Sequence, residues 1–164
     1  MKILKAIFVF SCTALYFSAG AQTVKNPYYS HTETKMLSVS DAEWKKILSP
    51  GVYQIAREKG TEQAYTGDYW DNHKKGTYYC GVCGYPLFSS TTKFDSHTGW
   101  PSFYQPIKGN SVKYITDQSY GMSRTEVACA RCGSHLGHVF DDGPAPTHKR
   151  YCMNGDVLDF EQAK

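Results

Sequence analysis

Two matched cysteine motifs, Cys80-Gly81-Val82-Cys83-Gly84 and Cys129-Ala130-Arg131-Cys132-Gly133, are the part of the sequence that decides the fold. In each motif two residues separate the cysteines, so both sulfurs can face one ion, and the glycine that follows permits a tight turn. Four thiolates would complete a tetrahedral structural zinc site with no open position. The 45 residues between Cys83 and Cys129 exceed the spacing of a simple zinc ribbon. We therefore expect one zinc ion to clamp two distant hairpins of a single domain.

Two other roles are open to these four cysteines. They could form disulfide bonds, which an exported chain permits. A redox-active C-x-x-C motif is the other alternative, but it requires a βαβ context that the sequence does not show. Zinc is favoured because short strands alone would form a loosely held core, which a structural metal would stabilise.

The strand-forming stretches around the motifs are short and closely spaced. Gly, Pro, Asp and Asn separate them from Gly76 onward, as is typical of strands joined by turns. They are Thr77–Cys80, Tyr85–Phe88, Val112–Ile115, Glu126–Cys129, Arg150–Met153 and Val157–Phe160. Many short strands with long turns favour antiparallel sheets over a βαβ fold. An aromatic content of 15% agrees with a mainly β domain.

Two short helices are predicted before the strands. Ser40-Asp41-Ala42-Glu43 is a capping box, in which Ser40 and Glu43 satisfy free backbone N–H groups at a helix start. The apolar residues that follow at i, i+3 and i+4 form a buried face; they are Trp44, Ile47 and Leu48. Pro50 suits the first position of a second helix, and Gly60 is a suitable terminator for it.

Composition and charge exclude several classes of protein. The 164 residues are 41% hydrophobic and 20% charged, which suits one globular domain with its own core. The net charge is +3 and no basic run exceeds two residues, so a nucleic-acid partner is not expected. The only membrane-like stretch, Ile3–Ala21, is interrupted by polar residues, so an integral membrane protein is not expected either.

Residues 1–21 have the pattern of a secretory signal peptide. Lys2 and Lys5 precede an apolar stretch, and Ala19-Gly20-Ala21 forms a small-residue cleavage site. An N-terminal helix packed on the domain is the alternative interpretation of these residues. The stretch is apolar on all sides and a polar segment follows it, which favours the signal peptide.

Cleavage would leave a polar linker, residues 22–39, followed by a domain that spans residues 40–164. We expect this mature chain to be exported, either to the periplasm or to the medium, with no stable membrane insertion after cleavage. A lipoprotein with lipid on Cys12 is the less favoured alternative, because Val9-Phe10-Ser11 matches the lipoprotein signal poorly.

Cys152 is left over when the other four cysteines of the mature chain form the two motifs. Arg150 lies two residues away and would share its side of a strand, where a cation favours the nucleophilic thiolate. A buried inert cysteine is the alternative. His135 and His138 could be structural or could bind zinc, but four thiolates already fill the metal site. We interpret the two histidines as acid–base groups for a reactive Cys152.

Gly99-Trp100-Pro101-Ser102-Phe103 is the second candidate binding element. Aromatic side chains at Trp100 and Phe103 would suit an apolar methyl or thioether ligand. Trp100 could instead belong to the core.

Nine stretches of the chain together form a specific pattern. They are Tyr69–Asn72, Cys80–Gly84, Pro86–Phe88, Lys93–Ser96, Gly99–Phe103, Cys129–Gly133, His135–Phe140, Asp142–Pro144 and Arg150–Asn154. Through this pattern the chain closely resembles the B-type peptide methionine sulfoxide reductases, from about residue 38 to residue 160. The resemblance implies a zinc-containing fold of two antiparallel sheets, a β-tent, with N-terminal helices. It also implies reduction of the R epimer of methionine sulfoxide, free or in proteins, and so a role in protein repair.

The resemblance assigns roles to individual residues. The matching positions are Cys152 for the nucleophile, Cys80, Cys83, Cys129 and Cys132 for the zinc ligands, His135, His138 and Asn154 for the acid and polar assistants, Trp100 for the methyl-binding aromatic residue, and Arg150 for a residue near the thiolate. Three positions depart from the family pattern. Thr98 stands where some members carry a second, recycling cysteine, His97 stands where glycine is usual, and Gly155 replaces a common serine.

These roles lead to an expected mechanism. The Cys152 thiolate attacks the sulfoxide sulfur, while a protonated His138, assisted by His135, supplies a proton to the oxygen that Asn154 orients. Cys152 is left as a sulfenic acid, which a thioredoxin-like protein or a small thiol reduces, because no second cysteine stands at Thr98. We expect the chain to act on oxidised protein or peptide methionine as a monomer. A zinc-knuckle binding module and a disulfide-stabilised structural domain are the competing functions.

Overall fold

The computed structural model of the protein describes residues 26–164, so the predicted signal peptide and Cys12 lie outside the described residues. The described part contains two helices, nine strands and three short 3-10 turns. In chain order the helices and strands are α1 (Asp41–Ile47), α2 (Pro50–Ala56), β1 (Gly76–Cys80), β2 (Pro86–Ser89), β3 (Lys93–Phe94), β4 (Ser102–Phe103), β5 (Val112–Asp117), β6 (Arg124–Cys129), β7 (His135–Phe140), β8 (Arg150–Met153) and β9 (Leu158–Gln162).

The strands form two antiparallel sheets. Three strands pair in the order β2-β1-β9, and six pair in the order β3-β4-β8-β7-β6-β5. The prediction of a mainly β fold with two antiparallel sheets and short N-terminal helices is therefore confirmed.

Three strands of the large sheet were absent from the sequence prediction. Strands β3 and β4 have two residues each, which is too short to show an alternating pattern. Strand β7 contains Gly137, and glycine weakens the strand signal of a sequence. A Cβ atom on Gly137 would lie 2.1 Å from the carbonyl oxygen of Cys152, so glycine allows β7 to approach β8 closely.

The two helices pack against the sheets through the residues expected. The Ser40 hydroxyl accepts a hydrogen bond from the N–H of Glu43, and Trp44 is fully buried. Helix α2 begins at Pro50 and ends at Ala56, four residues before the predicted terminator Gly60. Within residues 26–164, neither helix has the length and apolar character to span a bilayer.

Residues 26–39, the described part of the predicted linker, contain no helix or strand but pack on both cysteine motifs. The N–H of Ser30 donates to the carbonyl of Cys83, and the N–H of Leu37 donates to the carbonyl of Arg131. The segment is thereby held against the two turns that carry the cysteines.

The hydrophobic core lies between the two sheets, where aromatic side chains of β1 and β2 meet those of β4. The rings of Phe88 and Phe103 stack with their centroids 4.4 Å apart, and Tyr78 packs edge-on against Phe103 at 5.0 Å. This aromatic cluster supports β4 and β8 from one side, which leaves their other face free to form a site.

The loop between β3 and β4 leads to that free face through an uncommon backbone conformation. His97 has φ of 56°, in the left-handed region that favours glycine, which is the residue usual here in the resembling family. Its N–H bonds to the Asp95 carboxylate and its carbonyl accepts from the Tyr65 hydroxyl. These bonds hold the turn despite the steric cost of the Cβ atom.

Replacing His97 by glycine should therefore stabilise the protein. Relief of the left-handed strain exceeds the extra entropy of glycine in the unfolded chain, so the free energy of unfolding should rise by about 0.5–1 kcal/mol. Urea unfolding of both proteins measures the change. His97→Ala keeps the Cβ atom and serves as the control, in which the free energy of unfolding should not rise. A glycine variant less stable than the natural protein would contradict this explanation.

Candidate active site

Cys152 lies on β8 at the centre of the six-stranded sheet. Its Cα partners are Ser102 on β4 and His138 on β7. Side chains of directly paired residues project from the same face of a sheet. The register therefore places the thiol, the Ser102 hydroxyl and the His138 imidazole side by side.

A small open cavity of about 150 Å³ lies over this face. Four predicted site residues line it: Cys152, His138, Asn154 and Trp100. Phe140 lines it too, although the sequence analysis did not single it out as a site residue. Because Phe140 lies two residues after His138 on the same strand, the period of a strand could have identified it. The cavity thus combines a thiol, an imidazole, an amide and two aromatic rings.

Burial dominates the ionisation of the Cys152 thiol. It raises the pKa of Cys152 above its ordinary value, and this outweighs the lowering by the Thr98 hydroxyl and the Arg150 charge. The Thr98 Oγ1 atom lies 3.8 Å from the Cys152 sulfur. Arg150 thus acts in the predicted direction, but the substrate-free thiol remains mostly protonated at neutral pH.

Arg150 is held beside the cavity rather than in its wall. Its guanidinium makes two hydrogen bonds to the Asp142 carboxylate, at 2.9 and 2.8 Å, and lies 4.4 Å from the centre of the Phe140 ring. The ion pair with Asp142 keeps the charge of Arg150 close to Cys152. The guanidinium also packs on the Phe140 ring.

His138 is oriented by an acidic residue that the sequence analysis missed. Its Nε2 atom lies 2.7 Å from Oδ2 of Asp117, which also accepts a hydrogen bond from Arg124 at 2.7 Å. Hydrogen bonds from Ser119 and His138 hold the pKa of Asp117 well below its usual range. The bond to Asp117 occupies Nε2, so Nδ1 is the nitrogen left to serve a substrate.

His135 is buried below His138, with the two rings 5.4 Å apart and edge to face. Its Nδ1 atom lies 2.9 Å from the Glu126 carboxylate, which in turn pairs with Lys59 at 2.8 Å. Burial lowers the pKa of His135, so the ring is neutral at neutral pH. His135 does not line the cavity over Cys152, and it is therefore placed to support His138 rather than to meet substrate.

Asn154 follows β8 directly and has both ends of its amide engaged. Its Oδ1 atom accepts a hydrogen bond from the N–H of Glu62 at 3.0 Å, and Nδ2 donates to the carbonyl of Leu136 at 3.0 Å. One N–H of the amide remains for a ligand. The indole N–H of Trp100 also bonds to Glu62, at its carbonyl, at 3.3 Å.

The structure corrects the assignment of Phe103 to substrate binding. Successive residues of a strand face opposite sides, and here Ser102 faces Cys152 while Phe103 faces the core. Phe103 is fully buried, stacked on Phe88, and does not reach the cavity. The second aromatic ring that lines the cavity, beside Trp100, belongs to Phe140 instead.

The four cysteines of the two motifs form a separate buried cluster. Their sulfurs all lie within 4.8 Å of one another, with 3.7 Å between Cys80 and Cys132 and between Cys83 and Cys129. All five cysteines among the described residues are free, because a disulfide bond would bring two sulfurs to about 2.05 Å. The disulfide alternative is therefore wrong for the two motifs.

The cluster has the chemistry and dimensions of a metal site. Four ligands about 2.3 Å from a tetrahedral zinc ion would be about 3.8 Å from one another, close to the separations of the two pairs. Four buried thiolates would repel one another strongly unless a cation lay between them. The first motif joins β1 to β2 and the second joins β6 to β7, so the cluster connects the two sheets.

Comparison with known proteins matches this arrangement of residues to a family. Residues 48–162 match the SelR domain family. The MsrB peptide methionine sulfoxide reductase of Thiobacillus denitrificans is 58% identical over 121 residues, which cover 74% of this chain and 92% of that protein. The chain belongs to the MsrB family. The predicted family and its class of enzyme, a methionine sulfoxide reductase, are thereby confirmed.

Relatives of this MsrB chain come from distant organisms. The MsrB protein of Methanosarcina barkeri is 55% identical over 127 residues, which cover 77% of this chain and 89% of that protein. The chloroplastic peptide methionine sulfoxide reductase B1 of Arabidopsis thaliana is 58% identical over 127 residues, which cover 77% of this chain and 62% of that longer protein.

Two departures from the MsrB pattern lie close to the candidate site residues. Thr98 contacts Cys152 directly, at the position where some members carry a recycling cysteine. At Gly155, a Cβ atom would lie 1.8 Å from the carbonyl oxygen of Asp68, so the common serine would not fit unless residues 61–70 moved. Both positions belong to the immediate surroundings of the cavity.

Removal of a metal from the four-cysteine cluster should destabilise the whole protein. We expect elemental analysis to find one zinc per chain, and we expect a strong chelator to lower the unfolding temperature by about 10 °C or more. Cys80→Ser should lose the zinc, whereas Cys152→Ser, the same change outside the cluster, should keep it. Metal-free protein with an unchanged unfolding temperature would argue against a structural ion.

Proposed function

We propose that this MsrB chain reduces the R epimer of methionine sulfoxide, free or in proteins, with Cys152 as the nucleophile. The placement of the Cys152 thiol in one cavity with His138, Asn154 and Trp100 carries this proposal. All of these groups come from one chain, so a monomer is sufficient. The function is the repair of oxidised methionine in proteins.

Trp100 and Phe140 are assigned to the binding of the substrate methyl group. Both rings line the cavity that contains the thiol, and aromatic rings make favourable contacts with a methyl group next to sulfur. The second substituent and the sulfoxide oxygen would then point to different sides of the cavity. The oxygen of one epimer reaches His138 and Asn154, which gives a physical basis for selecting one stereoisomer.

The chemical step is the transfer of oxygen from substrate to Cys152. The Cys152 sulfur attacks the sulfoxide sulfur, while a proton from Nδ1 of His138 reaches the oxygen and the free N–H of Asn154 holds it. The sulfur–oxygen bond of the substrate and the sulfur–sulfur bond formed by the attack then break as the oxygen bonds to the Cys152 sulfur, which releases the thioether and leaves Cys152 as a sulfenic acid. The thiol proton returns to His138. Thiol plus sulfoxide thus become sulfenic acid plus thioether, with atoms and electrons balanced.

Zinc is assigned a structural role away from this chemistry. The residues that would hold it are Cys80, Cys83, Cys129 and Cys132, which leave no open position for substrate. The bound ion would neutralise the thiolates and hold the two sheets together.

An external thiol is assigned the reduction of the sulfenic acid. Among residues 26–164, the other four cysteines are buried in the cluster, and Thr98, whose hydroxyl lies 3.8 Å from the Cys152 sulfur, carries no thiol. A thioredoxin-like protein or a small thiol would attack the sulfenic sulfur, release water and form a mixed disulfide, which a second thiol resolves.

We also propose that residues 1–21 direct export and are removed. The charged start, apolar stretch and Ala19-Gly20-Ala21 site support this. The mass of the protein recovered after expression in a secreting host tests it. A chain that begins at Gln22 supports cleavage, a chain that begins at a lipid-modified Cys12 supports the lipoprotein alternative, and a chain that retains Lys2 excludes both.

Separated sulfoxide epimers test the proposed reaction. With dithiothreitol as reductant, the natural protein should reduce the R epimer at least about a hundredfold faster than the S epimer, because only one arrangement brings the oxygen to His138. Cys152→Ser should lose about a thousandfold or more of this activity, since a hydroxyl is a poor nucleophile here. Equal rates on both epimers, or an active serine variant, would overturn the assignment.

A single turnover without reductant tests the proposed recycling. Mass spectrometry after reaction with R sulfoxide should find Cys152 with one added oxygen, trapped as an adduct by dimedone. Thr98→Cys provides the matched control, because a sulfur at that position should form an intramolecular disulfide with Cys152 and abolish the adduct. A disulfide within the natural mature chain would refute reduction by an external thiol.

A further inference from the structure

We propose that Glu62 is a positioning residue, which holds Trp100 and Asn154 in the arrangement that sulfoxide reduction requires. The inference rests on the proposed function, because both of those residues are assigned to substrate. Glu62 does not line the cavity and lies in the irregular segment between α2 and β1. Its side chain is directed inward, with 8% of the residue exposed.

The backbone of Glu62 bonds to both residues at once. Its N–H donates to Oδ1 of Asn154 at 3.0 Å, and its carbonyl accepts from the indole N–H of Trp100 at 3.3 Å. One peptide segment therefore connects the methyl-binding ring to the amide that faces the sulfoxide oxygen. A shift of this segment would move both.

The side chain of Glu62 anchors that segment to the chain just after Asn154. Its carboxylate accepts hydrogen bonds from the N–H groups of Gly155 at 2.7 Å and of Asp156 at 2.8 Å. The ion pairs among the described residues do not include Glu62, so backbone N–H groups are the contacts that compensate its charge. A buried carboxylate without such donors would be strongly unfavourable. The side chain is therefore held at the N–H groups of Gly155 and Asp156.

Two glycines permit the close fit around the carboxylate. A Cβ atom on Gly67 would lie 2.3 Å from the carboxylate carbon of Glu62 and 2.4 Å from both oxygens. A Cβ atom on Gly155 would lie 1.8 Å from the carbonyl oxygen of Asp68. Residues 61–70 can therefore approach the end of β8 because position 155 lacks a side chain, and the Glu62 carboxylate has room because position 67 lacks one. In this chain a serine at position 155 would displace the backbone of Asp68.

The anchor has a direct chemical consequence at Asn154. The backbone N–H of Glu62 donates to Oδ1 of Asn154, and the backbone carbonyl of Leu136 accepts from Nδ2. The two bonds fix the amide with its second N–H available to the cavity. If the Glu62 segment moved, the amide could rotate and present its oxygen to the sulfoxide oxygen, which would repel it. Trp100 would lose the bond that fixes its ring at the same time.

Glu62→Gln tests this role with little change in shape. A glutamine oxygen can accept from one N–H, but its NH₂ group would face the other N–H and repel it. With the R epimer we expect kcat/KM to fall about tenfold or more, with a higher KM from the loosened Trp100 and a lower kcat from the rotated Asn154. The rate of Cys152 alkylation by iodoacetamide should change less than about twofold, because the thiol does not contact Glu62.

Gly67→Ala tests the same anchor from the opposite side and keeps Glu62 intact. The added methyl group displaces the flexible end of the Glu62 side chain, so it should lower kcat/KM to a similar extent while the protein stays folded. Glu33→Gln, the same change at an exposed position, should match the natural protein. If Glu62→Gln does not fold, the Gly67 variant decides the question alone.

The outcomes separate this inference from the proposed function. An active natural protein together with folded variants within twofold of its kcat/KM would overturn the role of Glu62 and leave the reaction intact. Variants that lose only thermal stability, with the kcat/KM of the folded fraction unchanged, would likewise overturn it. A natural protein without R-epimer activity, or an active Cys152→Ser variant, would instead overturn the proposed function.

Discussion

The structure depends on the convergence of four buried sulfurs from two turns that are far apart in sequence. The first turn belongs to the three-stranded sheet and the second to the six-stranded sheet, so the sulfur cluster holds together two sheets that share no strand pairing. As thiolates, four sulfurs at these separations would repel one another unless a cation lay between them. A metal bound there would offset this repulsion and so contribute to the stability of the domain.

The candidate site follows from strand register once the sheets are joined. Cys152, Ser102 and His138 face one side because they are Cα partners on adjacent strands. Beside this pair, Gly137 allows β7 to approach β8 closely. Burial in this setting keeps the thiol protonated, which Arg150 opposes only in part. A resting thiol that ionises poorly in the absence of substrate is protected from unwanted oxidation.

Features that depend on local spacing could be predicted from the sequence. Features that depend on contacts between distant residues could not. The paired C-x-x-C motifs, the capping box at Ser40 and the unpaired Cys152 could all be recognised from neighbouring residues. The partners of the site could not, because Asp117 lies 21 residues from His138 and Glu62 lies 92 residues from Asn154. The side of the sheet that Phe103 faces depends on which residue of β4 pairs with Cys152, and a two-residue strand does not reveal this register.

The segment before the helices changes what counts as the folding unit. Composition placed the start of the domain at residue 40, yet Ser30 and Leu37 each donate a backbone hydrogen bond to a carbonyl of a cysteine motif. A protein trimmed to residue 40 would uncover those carbonyls and admit water to the turns that present the sulfurs. Residues 26–39 therefore cover the two turns that carry the cysteines, although their polar composition alone resembles that of a linker.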